Sequence, residues 1–184
     1  TGPRLQLLSD DTETNRRIEA AFAAWSAAVN LPEKLRTMRM AKTADGETFA
    51  LLTANPSIDS PVKLDVRLIE ADRVAAPAAS LLPRPNEIDG ITLDVWGNPQ
   101  TYTVLRQHPG DLAAWARQYD LVPAHAVVHW YRADRPGQHR GVPEITPALP
   151  LFAQLRRYTL AVIAAAETAA DFAAVLFTDA PANG

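Results

Sequence analysis

The segment GITLDVWGNPQTYTVLR, residues 90–106, has the pattern of a β-hairpin and decides the fold class. Apolar and polar residues alternate on both sides of Gly97-Asn98, which is the period-two pattern of a strand with one buried face. Gly-Asn is one of the pairs that favour a tight turn between two strands. The alternating apolar residues are Ile91, Leu93 and Val95 before the turn and Tyr102 and Val104 after it. The segment therefore predicts two antiparallel strands.

Other segments show the same alternation. In KLDVRLIEA, residues 63–71, Leu64, Val66 and Leu68 alternate with Lys63, Asp65 and Arg67. ETFALLTA and AHAVVHWYRA are also typical of strands. Strands are predicted near residues 47–54, 62–70, 91–95, 100–106 and 126–131. Because the hairpin is antiparallel, we expect one mainly antiparallel sheet.

Two helices are predicted before the first strand. SDDTETNRRIEAAFAAWSAAVN, residues 9–30, begins with acidic residues that favour a helix N-terminus and then places apolar side chains on one face. These side chains are Ile18, Phe22, Trp25 and Val29. A second helix is predicted over residues 33–44, with Leu35, Met38 and Met40 directed inward, and Asp45-Gly46 ends it.

A long helix is predicted over residues 146–177. Thr146 suits the N-cap and Pro147 the first helical position, whose N–H has no partner in a helix. The predicted fold class is α+β, with a mainly antiparallel sheet packed against the N-terminal helix and this long C-terminal helix. Residues 111–120 are expected to form a short helix, and residues 71–87 a surface loop or short helix.

The composition is that of a globular protein. The chain has 184 residues, of which 47% are hydrophobic and 21% charged, and these values predict a single domain over residues 1–184. The formal net charge of −3 argues against a broad basic surface that grips nucleic acid. Since there is no cysteine, disulfides, thiolate metal sites and cysteine nucleophiles are excluded, as suits a reducing cytoplasm.

Motifs of catalysis and nucleotide binding are absent from the sequence. It contains neither a Gly-x-Ser-x-Gly elbow nor a Gly-rich phosphate loop. His125 and His129 are four residues apart, which on a strand separates them by roughly 13 Å, too far to share a metal ion. No carboxylate pair stands out as a catalytic dyad. We therefore expect no catalytic residues, no metal and no cofactor.

The segment HWYRADRPGQHRGVPEITPAL, residues 129–149, concentrates arginine, proline and glycine before the long helix. Its chemistry alone leaves two interpretations open. It is either a solvated, proline-stiffened loop or a docking loop whose guanidinium groups pair with the acids or phosphates of a partner.

The residues VVHWYRADRPGQHRGVPEITPAL closely resemble a motif of the lambda-type bacteriophage portal proteins, in which a strand leads through Arg-x-x-Arg-Pro-Gly-Gln-x-Arg-Gly-Val-Pro into a helix. The segments IDGITLDVWGNPQTYTVLRQHPGD, MRMAKTADGETFALL and AAAETAADFAAVLFTDAPANG resemble further parts of the family in the same order. The candidate assembly or joint residues are Arg132, Arg135, Pro136, Gly137, Arg140, Gly141 and Pro143.

The resemblance implies a structural protein of the portal vertex. Such proteins form a homo-oligomeric ring, through which a terminase motor packages double-stranded DNA and to which the tail attaches. The expected partners are other portal subunits, the large terminase, capsid and tail-connector proteins, and DNA passing through the ring without tight specific binding, with no membrane. The expected location is the virion, with the host cytoplasm during assembly.

The resemblance also implies a fragment, mostly of the wing region of a longer portal protein. Arg135 and Arg140 are expected to meet acidic groups of the adjacent subunit. The alternative is a small soluble enzyme or binding domain of unknown substrate. An enzyme would show turnover and a concave pocket with perturbed carboxylates, whereas a portal subunit would form rings.

Overall fold

The computed structural model describes residues 2–76, 85–111 and 118–172. It confirms the α+β class. Its helices are α1 (Thr12–Ala28), α2 (Leu31–Asp45) and α3 (Leu149–Asp171). Its strands are β1 (Glu47–Ala54), β2 (Leu64–Ile69), β3 (Glu87–Ile88), β4 (Ile91–Leu93), β5 (Pro99–Leu105), β6 (Tyr119–Pro123) and β7 (Val127–Tyr131). The chain divides into two compact units, Thr1–Glu144 and Ile145–Gly184.

The strands pair antiparallel throughout, as predicted, but they form two sheets instead of one. The first sheet has the order β2-β1-β7 and the second the order β3-β4-β5-β6. The chain leaves the first sheet through a single 3-10 turn at Ala71–Arg73. After this turn Val74 forms a single antiparallel bridge to Val104 of β5, and the hairpin β4–β5 belongs to the second sheet.

Two apolar clusters follow from the alternation along β1. Phe49 and Leu51 lie on one face of the strand, with residues of the second sheet, and Ala50 lies on the other, with residues of the helices. The cluster between the sheets is Phe49, Leu51, Ile69, Val74, Ile91, Tyr102 and Val104. The cluster under the helices is Val29, Leu31, Met38, Ala50, Ile58 and Val66. The first sheet is therefore covered on both faces.

The ends of the first two helices have clear local causes. The Asp11 carboxylate accepts a hydrogen bond from Thr14 N at 3.0 Å and caps α1. Helix α2 ends at Asp45 and is capped by Gly46, which has a φ of +90° and donates its N–H to Lys42 O. Met38 is buried as predicted, but Met40 is 58% exposed, because the helical period carries it to the opposite side.

The hairpin is confirmed, with a longer turn than predicted. Val95 was expected in the first strand, but β4 ends at Leu93 and the side chain of Val95 is 80% exposed. The cause is Asp94, whose Oδ1 accepts hydrogen bonds from Trp96 N and Asn98 N and so starts the turn early.

Two further predictions need revision. Residues 119 and 120 were assigned to a short helix and instead begin β6, which pairs with β5, while residues 112–117 lie outside the described residues. His125 was placed on a strand, but it lies in a 3-10 turn, Ala124–Ala126, before β7 begins.

The second unit contains α3. A 3-10 turn at Thr146–Ala148 precedes it, and Ala148, not Thr146, is the residue at its N-cap. Helix α3 ends at Asp171, and residues 173–177 of the predicted helix lie outside the described residues. Every residue from 149 to 172 is exposed. Among the described residues, no helix is long and apolar enough to cross a membrane.

Candidate functional site

The candidate site is the segment of residues 132–143, called here the arginine loop. The side chain of Gln138 forms hydrogen bonds with the loop backbone on both sides of it. The Gln138 side chain donates from Nε2 to Arg140 O at 2.8 Å and accepts at Oε1 from Asp134 N at 3.0 Å. The Tyr131 hydroxyl, at the end of β7, donates to Gln138 O at 3.0 Å. These bonds fix the backbone of the loop against the strand that leads into it.

The second half of the loop is attached to a buried carboxylate at the start of β1. Glu47 is 4% exposed, and its Oε1 accepts from Arg140 Nε at 2.6 Å. Its Oε2 accepts from Gly141 N at 2.9 Å and lies 2.9 Å from His129 Nε2. Both carboxylate oxygens thus have partners, as a buried charge requires.

The guanidinium of Arg140 reaches further segments of the chain. Its Nη1 donates to Val74 O at 2.9 Å and to Asp89 O at 2.7 Å. The same nitrogen lies 2.9 Å from the Asp89 carboxylate. The guanidinium also lies over the ring of Phe49, at 5.6 Å from its centroid. Arg140 therefore joins the first sheet, the segment after β2 and the turn between β3 and β4.

The electrostatics of Glu47 follow from these contacts. Burial by itself raises the pKa of the carboxyl, because it disfavours the charged form. Hydrogen bonds from His129, Arg140 and Gly141 outweigh burial, so the pKa of Glu47 is lowered. The carboxylate is thus ionised at neutral pH and complements the positive charge of Arg140.

His129 completes the buried cluster. Its ring stacks against Phe49 at 4.2 Å and against Tyr131 at 4.3 Å between centroids. Its Nδ1 lies 3.4 Å from the Tyr102 hydroxyl. The prediction that His129 lies on a strand is confirmed, and its side chain is a buried partner of Glu47. Within residues 2–76, 85–111 and 118–172, no group of three or more potential ligands could hold a metal ion.

Two glycines allow the loop to touch the start of β1. A Cβ atom on Gly141 would overlap the backbone of Gly46, and a Cβ atom on Gly46 would overlap the backbone at Val142. The two chain segments are therefore in contact through their backbones. This close approach brings Gly141 N within reach of Glu47.

Glu144, directly after the loop, attaches it to α2. Its carboxylate pairs with Lys42 and, at 2.8 Å, with Arg39. The hydrogen bonds from Lys42 and Arg39 lower the pKa of Glu144 to about 2. The loop is thus fixed on both sides of Pro143, at β1 and at α2.

The first half of the loop faces solvent. Arg132 pairs with Asp134 at 2.7 Å, and both side chains are well exposed. Arg135 and Pro136 are exposed, and no described residue bonds to the guanidinium of Arg135. Gly137, also exposed, has a φ of +71° at the turn. This half therefore presents two exposed arginines, Arg132 in an exposed pair with Asp134 and Arg135 without a partner among the described residues.

The predicted site residues therefore separate into two groups. Arg140 and Gly141 lie at the buried attachment, next to Pro143, whereas the other four lie on the exposed half. The acidic partners of Arg140 are Glu47 and Asp89 of the same chain, which corrects the expectation that they belong to an adjacent subunit. Sequence reasoning missed Glu47. The signal for it was a charged residue at the start of an apolar strand.

The sequence matches the family described as phage portal protein, lambda family, over residues 1–184. The chain belongs to this family. A comparison with curated proteins gave no match. Lambda-family portal proteins are structural components of the phage.

Proposed function

We propose that this chain is part of a portal subunit that assembles into a ring at the capsid vertex. The ring serves as the channel for packaging and ejection of double-stranded DNA and joins head to tail. Other copies of the subunit, the large terminase, and capsid and tail-connector proteins are its partners. The match to the portal family over residues 1–184 is the observation that carries this proposal.

The arginine loop takes a double role in this proposal. Its buried half, around Arg140 and Gly141, is the joint within one subunit. Its exposed half contacts the adjacent subunit through Arg132 and Arg135. Support comes from the rigidity of the loop, since an arginine on a braced backbone loses less conformational freedom on pairing with an acid than one on a mobile segment.

The role in DNA transport is passive. A channel that moves DNA needs a lining that does not hold it, and the formal net charge of −3 suits this requirement. The proposed role is structural and includes no catalytic step. The proposed location of the protein is the virion vertex, and its assembly takes place in the host cytoplasm.

Electron microscopy of the purified portal protein containing this chain tests the proposal. The expected result is a population of rings with a central hole, and light scattering should give one oligomeric mass. Monomers or irregular particles at all concentrations would contradict it. An activity screen is a useful second measurement, because turnover of any substrate would favour the enzyme alternative.

A further inference from the structure

A pocket between the two sheets is lined by apolar residues and by four charged side chains. Its volume is about 260 Å³. The residues that line it are Leu51, Arg67, Ile69, Arg73, Val104, Arg106, Asp120 and Val122. The arginine loop does not contribute to it.

The register of the strands places these charges on the inner faces of the sheets. In the first sheet, Arg67 pairs with Leu51, so it shares the face that packs on the second sheet. In the second sheet, Asp120 pairs with Val104, which belongs to the same cluster. Arg106 follows Val104 by two residues and continues this face. Arg67, Arg106 and Asp120 are nevertheless exposed, Arg106 and Asp120 by 56% and 53% of their side chains, so a ligand can reach their charges from solvent.

The three arginines of the pocket differ in the hydrogen bonds and ion pairs that they form within the chain. Arg73 donates to Leu105 O at 2.9 and 2.7 Å and to Arg106 O at 2.9 Å, which fixes the 3-10 turn against the end of β5. Arg106 binds Asp120 at 2.7 Å. Among the described residues, Arg67 has no hydrogen-bond or ion-pair partner. Its positive charge nevertheless contributes to the lowered pKa of Asp120, after the larger effect of Arg106.

We propose that this pocket binds a doubly charged oxyanion, namely a phosphate group that is free or is the terminal group of a phosphate ester. The lining carries three arginines against one aspartate, a formal charge of +2, in a chain whose net charge is −3. A dianion neutralises that charge, whereas the single charge of a backbone phosphodiester does not. Guanidinium groups also match the geometry of phosphate oxygens.

The bound anion would connect the sheets. Arg67 belongs to β2 and Arg106 follows β5, so one phosphate held by both would bridge the pocket. Arg67 is the main ligand in this arrangement because its guanidinium gives up no partner among the described residues on binding. Asp120 opposes the anion and limits its affinity. The inference does not depend on ring formation or on the proposed function.

Calorimetric titration of the 184-residue chain with inorganic phosphate at low ionic strength tests the proposal. We expect saturable binding of one phosphate with a Kd below about 1 mM. Arg67→Gln should weaken it by about tenfold or more, as expected for the loss of a charged hydrogen bond. Arg36→Gln is the matched control, because Arg36 is exposed, outside the pocket and without a described partner, and it should bind like the native chain. Asp120→Asn should bind more tightly.

Competition experiments distinguish the possible sources of the phosphate group. A short duplex with a 5′-phosphate should compete with inorganic phosphate, and the same duplex with a 5′-hydroxyl should not. Equal competition by both duplexes would overturn the preference for a dianion. Stronger competition by a glutamate-rich peptide would assign the pocket to an acidic protein instead. Absence of saturable binding, or unchanged binding in Arg67→Gln with an unchanged circular dichroism spectrum, would overturn the proposal as a whole.

Discussion

Arg140 binds Glu47 across 93 residues of sequence, with 2.6 Å between Nε and Oε1. The pair attaches the arginine loop to the strand at the centre of the first sheet. The side chain of Glu47 is 5% exposed and that of Arg140 20%. A charge pair buried to this degree cannot lose one member without leaving the other charge unsatisfied. The loop and the start of β1 are therefore parts of one structural joint.

Replacement of Arg140 should destabilise the folded chain. Arg140→Ala leaves the buried Glu47 carboxylate without its main partner, and we expect a loss of about 3–5 kcal/mol in the free energy of unfolding. Urea denaturation followed by circular dichroism measures it. Arg132→Ala is the control, because the Arg132–Asp134 pair is exposed and should contribute about 0–1 kcal/mol. Equal stability of the two variants would show that the Glu47–Arg140 pair is not a structural requirement.

Acidification should weaken the attachment of the arginine loop at Glu47 and at Glu144. Glu144 has a folded pKa of about 2 against 4.5 without its partners, and the pKa of Glu47 is also lowered. The unfolded chain therefore binds protons first, and stability falls as the pH drops from about 4.5 towards 2. Urea midpoints between pH 6 and pH 2 should decrease over this range. Glu144→Gln should flatten the decrease, and a midpoint that rises on acidification would contradict the assignment.

Gly141→Ala should cost more stability than Gly137→Ala. At Gly141 the added methyl overlaps the backbone of Gly46, so the loop must move away from β1. At Gly137 the added methyl meets nothing within 4 Å, and the cost is only the positive φ of +71°, about 1–2 kcal/mol. Thermal unfolding of both variants measures the order. The reverse order would mean that the contact at Gly46 is not tight.

Duplex DNA should bind weakly at physiological salt. The chain carries a formal charge of −3, so few counterions are released when it meets a duplex. Fluorescence anisotropy with a labelled duplex of random sequence should give a Kd well above the micromolar range. A sub-micromolar affinity that is independent of sequence would contradict the passive role proposed for this chain.

The elements with strong periodicity could be predicted from the sequence. The strand over residues 47–54 was predicted with its observed bounds, and the first helix, α1, begins at its predicted acidic cap. β6 was missed, because its short segment, Tyr119–Pro123, has no alternation and ends in proline. The division into two sheets was missed for a different reason. Strand pairing depends on contacts between distant segments, which local patterns do not specify.

The site was predicted only in part. The conspicuous composition of the arginine loop marked it as a candidate, but arginines in a segment rich in proline and glycine are expected to face solvent. Arg140 departs from that expectation because Glu47, far away in the sequence, offers it a buried partner. The pocket between the sheets illustrates the same limit. The alternation of β2 identifies Arg67 as an exposed polar position, and only the register shows that it lies beside Leu51 on the face towards the second sheet.

The most direct test of the account is a charge reversal at the exposed tip of the arginine loop, Arg135→Glu, in the purified portal protein. Arg36→Glu, at another exposed arginine without a described partner, is the control. Because no described residue bonds to the Arg135 side chain, the melting temperature should be unchanged, while electron microscopy should show rings for the control and none for Arg135→Glu. Normal rings from Arg135→Glu, with a normal melting temperature, would contradict the claim that the exposed half of the loop holds neighbouring subunits together.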